Sequence, residues 1–356
     1  MATTTILHWN ARGIRAHSEE LKKYIIDNAT PDIICLQETF LKPTHVFSFN
    51  GYSIERKDRI DSEKGGLAIM IKHGISYEIL LCSDKIECQI IKINSKQQEI
   101  TICNVYNPPN TAIDKEEYKT LFSIKNGFIL GDFNSFSTLW GSPNGDKNGN
   151  ILQELLDEFH AVVLNDGRGT YMKNLGGMSH LDLSFASPNL AIKCNWSVAE
   201  TCLGSDHFPV IIKYNEPPVI EDCSNIKWGL RRANWDKFKS TCKTIVNKDI
   251  VKPNTSDYCK ALTEALVRAA EQSIPIISVK PSRPKTVPYW DSDCDTAINE
   301  RNRVQRAANK KGAKNRAVME NRRLRGVAQR VLKEAKSNYW KSYRDTLDDS
   351  TNKGSV

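Results

Sequence analysis

From residue 5 to residue 215, short apolar runs alternate with amphipathic stretches, and each predicts a strand or a helix. Strands are expected over 5–10, 32–37, 65–72, 76–81, 87–94, 99–106, 128–130, 161–165, 181–185 and 210–214. Those between 65 and 106 stand at hairpin-like spacing. Helices are expected over 18–28, where Ser18 can cap and Glu19 and Glu20 suit the first turn, and over 150–159, where Leu152, Leu155, Leu156 and Phe159 form one stripe. Alternation of this kind, without an internal repeat, marks an α/β architecture.

The pattern changes at Asn215-Glu216-Pro217-Pro218. Strand-like runs stop there, and helices are expected at 235–246 and 256–272. A connector with Pro275, Pro281, Pro284 and Pro288 follows, and Tyr289-Trp290-Asp291-Ser292 opens a long polar helical region that Gly312 should break. In it Leu324, Val327, Val331, Ala335 and Tyr339 recur three or four apart, one narrow stripe able to pack. Three segments result: 1–215; 216–288, a helical linker with the Pro-rich connector; and 289–356, a basic helical tail.

Composition sharpens this picture at a few points. A hydrophobic content of 40% over 356 residues supports a proper core. Apolar runs such as Leu67-Ala68-Ile69-Met70-Ile71 are too short to span a bilayer, and residues 1–5 lack the basic start and apolar stretch of a signal peptide. The ten cysteines form no Cys-x-x-Cys pair, and several fall inside strand patterns, so reduced thiols and an intracellular protein, nuclear or cytoplasmic, are expected. The net charge of +8 is uneven. Residues 1–215 hold 21 Lys and Arg against 25 Asp and Glu, whereas residues 216–356 hold 29 against 17. A basic tail behind a near-neutral body suggests a polyanionic partner for the tail, or simply a solvated charged helix.

Polar residues stand at the strand ends, where α/β proteins place their chemistry. Phosphodiester hydrolysis needs charge neutralised on the phosphoryl oxygens, an activated water and a stabilised leaving oxygen. Glu38, after Cys35-Leu36-Gln37, offers hard carboxylate oxygens suited to Mg²⁺, or caps a loop. Asp132 and Asn134, two apart on an extended segment, would face one water and one phosphate; an Asx turn is the other reading. Asn10 can donate to a phosphate oxygen or orient a metal ligand, or cap a turn, and Tyr106 offers a hydroxyl to a phosphate or packs. In Ser205-Asp206-His207 the imidazole stands just before a core strand and suits proton transfer or charge stabilisation, with Asp182 the candidate to hold its other nitrogen. A purely structural histidine is the plainer reading.

Six ordered motifs resemble the endonuclease/exonuclease/phosphatase superfamily. They are Trp9-Asn10-Ala11-Arg12-Gly13, Leu36-Gln37-Glu38-Thr39, Asn104-Val105-Tyr106-Asn107-Pro108-Pro109, Gly131-Asp132-Phe133-Asn134, Leu181-Asp182 and Ser205-Asp206-His207. Gly65-Gly66-Leu67-Ala68-Ile69, Trp140-Gly141, Gly169-Thr170-Tyr171 and the stretch from Tyr289 to Cys294 look most like the apurinic-type endonuclease of non-LTR (LINE-type) retrotransposons. The resemblance implies a four-layer α/β sandwich, two mixed sheets flanked by helices, with the site at one sheet edge and a helical, basic C-terminal region behind it. It implies Mg²⁺, with Mn²⁺ as the alternative ion, bound by Glu38 with Asn10 and Asp206 near the metal and phosphate. Asp132 would position or activate water, Asn134 and Tyr106 hold the phosphate, and His207, oriented by Asp182, stabilise the transferring phosphoryl group.

Repair-type apurinic endonucleases carry an acid where Arg12 stands, a Lys where Phe40 stands and a basic residue where His180 stands. These departures weaken an abasic-site repair reading and leave the retroelement one intact. An aromatic-x-Asp-Asp polymerase signature is missing, since Leu347-Asp348-Asp349 lies in a polar end, so the chain is expected to be the front of a polyprotein truncated before its reverse transcriptase. The leading expectation is a DNA endonuclease that nicks a target and leaves a 3′-hydroxyl to prime reverse transcription, with element RNA as a second partner of the tail. A catalytically idle nucleic-acid-binding remnant is the alternative from another class, though decay should have removed part of the residue set. A phosphatase or sphingomyelinase relative is weaker, because the lipid-active branch needs apolar membrane-binding loops and none is seen.

Overall fold

The computed structural model describes residues 3–28, 30–60, 62, 64–173, 176–219, 226–245, 254–278, 287–309 and 315–346. The chain forms two compact units, Met1–Val219 with Arg283–Val356, and Ile220–Ser282.

The first unit begins with β1 (Thr4–Asn10), α1 (Ile14–Asp27), β2 (Ile33–Gln37), β3 (Tyr52–Lys57) and β4 (Leu67–Lys72). Then come β5 (Tyr77–Leu80), β6 (Glu87–Asn94), β7 (Glu99–Tyr106), α2 (Lys115–Phe122), β8 (Gly127–Asp132) and α3 (Lys147–Phe159). The short strands β9 (Val162–Val163), β10 (Tyr171–Met172) and β11 (Met178–Ser179) precede β12 (Asp182–Ala186), α4 (Pro188–Ala191), β13 (Cys194–Val198) and β14 (Val210–Tyr214). Two six-stranded sheets result, ordered β13-β14-β1-β2-β4-β3 and β5-β6-β7-β8-β12-β9.

The apolar runs divide their side chains between layers, as buried strands must. In β1 and β2, Ile6, Ile33 and Cys35 join Ile91, Ile102, Phe128 and Leu130 in the core between the sheets. Their neighbours Leu7, Trp9, Ile34 and Leu36 face the other way, onto Ile14, Leu21 and Ile25 of α1. On the far side Phe133, Phe185 and Trp140 pack with Phe122 of α2 and Leu152 and Leu155 of α3. Helix, sheet, sheet and helix therefore form the expected four layers.

Strand direction gathers the polar ends. β1 runs parallel to β2 and β7 parallel to β8, so Asn10, Glu38, Tyr106 and Asp132 leave their strands at carboxyl ends. β12 and β14 are antiparallel to these and start at the same edge, with Asp182 directly opposite Asp132. The β7–β8 approach is close: a Cβ on Gly131 would stand 1.8 Å from the Val105 carbonyl oxygen.

Several local expectations are corrected. α1 starts at Ile14, and Ser18 lies buried inside it instead of capping it. The amides of Gly13 and Ile14 donate to the Glu38 and Thr39 carbonyls at 2.8 and 3.1 Å, so these donors find partners without a side-chain cap. Cys82 and Cys88 are joined by a disulfide, so the reduced-thiol reading does not extend to them. Strands do not stop after residue 215, because β15 (Ile226–Trp228) and β16 (Ile276–Ser278) pair antiparallel in the second unit, which also contains α5 (Trp235–Ile245) and α6 (Thr255–Ser273). Three-residue strands are too short to leave a period in the sequence.

The first unit is completed by α7 (Ser292–Ala308), capped by Asp291 accepting from the Cys294 amide, and α8 (Asn315–Asp345), which packs on α7. Within the stripe on α8, Leu324 is buried and Val327, Val331, Ala335 and Tyr339 are half-buried. Gly312, Pro281, Pro284 and Leu347-Asp348-Asp349 lie outside the described residues. Among the described residues no helix is long and apolar enough to cross a membrane.

Candidate active site

Two hydrogen-bonded sets meet at the shared edge. In the first, Asn10 Nδ2 donates to Glu38 Oε1 at 3.1 Å and to Asp132 Oδ2 at 2.8 Å, while the Tyr106 hydroxyl donates to Glu38 Oε1 at 2.7 Å. In the second, His207 Nδ1 donates to the Asp182 carboxylate, 3.0 and 2.9 Å from its two oxygens, and Nε2 stands 3.9 Å from Asp132 Oδ2. Asp132, hydrogen-bonded only within the first, is where the two sets approach. The backbone is held as firmly as the side chains: Trp9 Nε1 donates to the His207 carbonyl at 3.0 Å, and Ser205 Oγ donates to the Asn10 carbonyl at 2.9 Å.

Burial sets the electrostatics. It pulls the His207 pKa down, but Asp182, Asp132 and Glu38 outweigh it and hold the imidazolium up to about 9. Asp132 is pushed up to about 7, chiefly by burial, against the His207 charge that lowers it. Tyr106 is raised far above the ordinary phenol value by burial and by Glu38, so its hydroxyl stays a donor.

Asn134 and Asp206 are placed differently from Glu38 and Asn10. The segment does not stay extended through Asn134, whose φ is 45°. Its amide donates to Asp132 Oδ1 at 3.1 Å, an Asx turn, and its side chain donates to the Asn107 carbonyl at 3.0 Å. Asp206 is ion-paired with the Arg12 guanidinium. Arg12, Glu38, Phe40 and Asn134 all have positive φ, a concentration of backbone strain characteristic of functional loops.

Residues 100–211 match the family model described as endonuclease-reverse transcriptase. The RNA-directed DNA polymerase from the mobile element jockey of Drosophila melanogaster is 25% identical over 283 residues, covering 74% of this chain and 30% of that protein. Its counterpart in Drosophila funebris is 23% identical over 278 residues, covering 75% and 30%. The endonuclease domain of TRAS1, a telomere-specific non-LTR retrotransposon, has a similar structure, with a TM-score of 0.52 at 22% identity, covering 60% of this chain and 98% of that domain. These likenesses run to retrotransposon proteins in sequence and to an endonuclease domain in fold. AP endonuclease LMAP from Leishmania major shares the fold, with a TM-score of 0.50 at 16% identity, covering 61% of this chain and 89% of its own. The chain spans 30% of the length of the curated relatives it matches.

A divalent metal fits one side of the site better than the other. Asp132, Asp182 and His207 bring ligand atoms within 4.8 Å of one another, but His207 Nδ1 is engaged by Asp182, and the carboxylates around the ring raise its pKa and favour the protonated form. A protonated imidazole has no lone pair for a metal. Glu38 is half-buried, and among the described residues no hydrogen bond reaches its Oε2. That oxygen suits a hard cation, while the Asn10 amide oxygen accepts from the Arg12 amide at 3.1 Å.

Other residues around the site escaped sequence reading. Tyr171 lies with its ring centroid 4.7 Å from that of His207, Thr170 Oγ1 accepts from the Asp182 amide at 3.1 Å, and Arg59 lies over the Tyr106 ring at 5.5 Å. Tyr171 and Thr170 belong to the Gly169-Thr170-Tyr171 motif, which was the available signal. Arg59 carried none, because its loop has no periodicity. Phe40, in place of a lysine, has its ring 3.2 Å from where a Cβ on Gly13 would stand.

Proposed function

We propose that the domain is a metal-dependent DNA endonuclease that nicks target DNA and leaves a 3′-hydroxyl to prime reverse transcription. The observation that carries this reading is Asp132, buried between Asn10 on one side and the His207–Asp182 pair on the other. The similarity to a retrotransposon endonuclease domain supports DNA as the substrate.

Glu38 and Asn10 would hold Mg²⁺, with Mn²⁺ as the alternative; when bound, the ion neutralises charge on the phosphoryl oxygens. Asp132 takes the proton from the attacking water, and a carboxylate raised toward neutrality by burial is suited to that work. The water oxygen bonds to phosphorus, the bond from phosphorus to O3′ breaks, and the departing oxygen is protonated to the hydroxyl. His207, kept as an imidazolium by Asp182, faces the phosphoryl group with fixed positive charge in a desolvated setting. Tyr106 and Asn134 contribute donors for a phosphate oxygen, and Asp206 holds Arg12 at the rim.

Arg330, Lys333 and Lys341 are exposed along α8, and we assign them phosphate contacts to element RNA, with affinity falling steeply as salt rises. Acting on chromosomal DNA would put the protein in the nucleus.

Conversion of supercoiled plasmid to relaxed circle, with Mg²⁺ and with EDTA, tests the reading beside Asp132→Ala. Metal-dependent nicks that a polymerase extends without phosphatase treatment are the expected result. Retarded DNA without nicking would replace the endonuclease by an idle binding remnant, and cutting confined to abasic duplex would replace it by a repair enzyme.

A further inference from the structure

Behind the site, α1 and α7 share a fully enclosed ion pair. Glu20 accepts from Arg301 at 2.8 and 2.9 Å, and the two residues are only 6% and 2% exposed. Removing either partner would leave an uncompensated buried charge. The loop that leads to Asp206 and His207 rests directly on this pair. Gly204, at φ +86°, has no room for a side chain: a Cβ there would stand 2.6 Å from His17 Cδ2 and 3.0 Å from Glu20 Oε1.

The later helices grip the same loop at successive points. Arg325 of α8 donates to the Gly204 carbonyl at 2.9 Å, and Gln305 of α7 donates to the Cys202 sulfur. Thr201 Oγ1 donates to Asn302 Oδ1 at 3.2 Å. Asn321 donates to Met172 Sδ at 3.3 Å, one residue from the Tyr171 that lies against His207. His17, wedged beside the pair, donates to the Ala11 carbonyl at 2.8 Å and so ties in the Asn10–Arg12 loop.

We propose that Arg301 and Arg325 are positioning residues of the endonuclease: α7 and α8 hold the loop from Cys202 to His207 in the conformation that presents Asp206 and His207. The basic segment would then complete the nuclease itself, in addition to any binding of nucleic acid. This inference rests on the endonuclease reading for its catalytic half and on loop rigidity for the other half.

The test uses the full chain. Arg325→Ala is the main variant, since Arg325 is half-exposed and Arg301→Ala risks misfolding. Hydrogen–deuterium exchange of the peptide spanning 201–208 is read beside kcat and KM for nicking. Exchange should rise several-fold in Arg325→Ala while β6 and β7 stay protected, and kcat should fall roughly tenfold or more with KM little changed. Arg325→Lys, which keeps the charge, should recover part of both. Unchanged exchange would overturn the proposal whatever the activity. Raised exchange with unchanged kcat would overturn it too, leaving the helices a brace without catalytic consequence. If the parent protein does not nick at all, the endonuclease reading falls, and raised exchange would still uphold the grip on the loop.

Discussion

Asn10 donates to Asp132 at 2.8 Å, although the two residues lie 122 positions apart and end strands of different sheets. The same amide nitrogen serves Glu38, so both of its protons are spent between two carboxylates. Asn10→Ala would remove the one donor the two carboxylates share, leaving Glu38 with Tyr106 and Asp132 with the Asn134 amide. Nicking should fall by roughly two to three orders of magnitude, as for loss of a preorganised donor, and unfolding free energy by about 1–3 kcal/mol. Turnover measurements beside urea unfolding check this; a near-normal rate would remove Asn10 from the chemistry.

The pH dependence of nicking should be bell-shaped. Asp132 must lose its proton to act on water, giving an acid limb near its value of about 7. His207 must keep its proton, giving an alkaline limb near about 9. Replacing Asp182 by Asn removes the largest influence raising His207, so burial prevails and the alkaline limb moves to lower pH. Profiles of kcat/KM for both proteins decide it, and an unmoved limb would separate His207 from that titration.

Glu38→Gln keeps the shape of the side chain and removes the charge offered to the metal. Mn²⁺ binding, followed by calorimetry or by the spin signal of the free ion, should weaken at least tenfold while circular dichroism stays unchanged. Affinity equal to that of the parent would move the metal away from Glu38.

Acid should destabilise the fold through His8 as well as through its carboxylates. Its Nε2 meets Ser184 Oγ at 2.8 Å, and burial lowers its pKa from 6.5 to about 4, only partly offset by Asp182. Above pH 6.5 neither the folded nor the unfolded chain binds this proton, so the full stability is present. Between pH 6.5 and 4 the unfolded chain takes a proton that the fold refuses, and about 3 kcal/mol is lost. Urea midpoints of the parent and of His8→Phe should draw together over that interval. Parallel curves would exonerate His8.

Much of the fold was legible wherever apolar residues are dense along a strand. The bounds of β6, β7 and β14 match their sequence expectation residue for residue, because each is a dense apolar run ended by polar residues. Strands β3 and β13 went unread: both are sheet edges, and Tyr52–Lys57 and Cys194–Val198 mix polar and apolar residues without a clear period. Helix α2, with three buried residues in eight, was also too short to stand out. In the site, Asn10, Glu38, Tyr106 and Asp132 are joined by hydrogen bonds, and the hydrogen-bonded His207–Asp182 pair stands 3.9 Å from Asp132. Motif spacing could name them, but not the contacts of Tyr171, Asn107 or Arg59, which arise only when distant segments meet. The Asx turn at Asp132 and Asn134 was one of the two readings the sequence offered, but the hydrogen bond of the Asn134 side chain to the Asn107 carbonyl had no sequence mark.

Glu20 and Arg301 are separated by 281 residues, and that distance is also a delay. A ribosome adding about 5–20 residues per second needs roughly a quarter of a minute to a minute to travel it. In the last part of that interval, once Tyr214 has been made, the nascent chain contains both sheets, yet Glu20 lacks its partner and the loop before His207 lacks the helices that later cover it. On the proposal that α7 and α8 position this loop, synthesis of the last helices, far beyond His207, is the event that finishes the site.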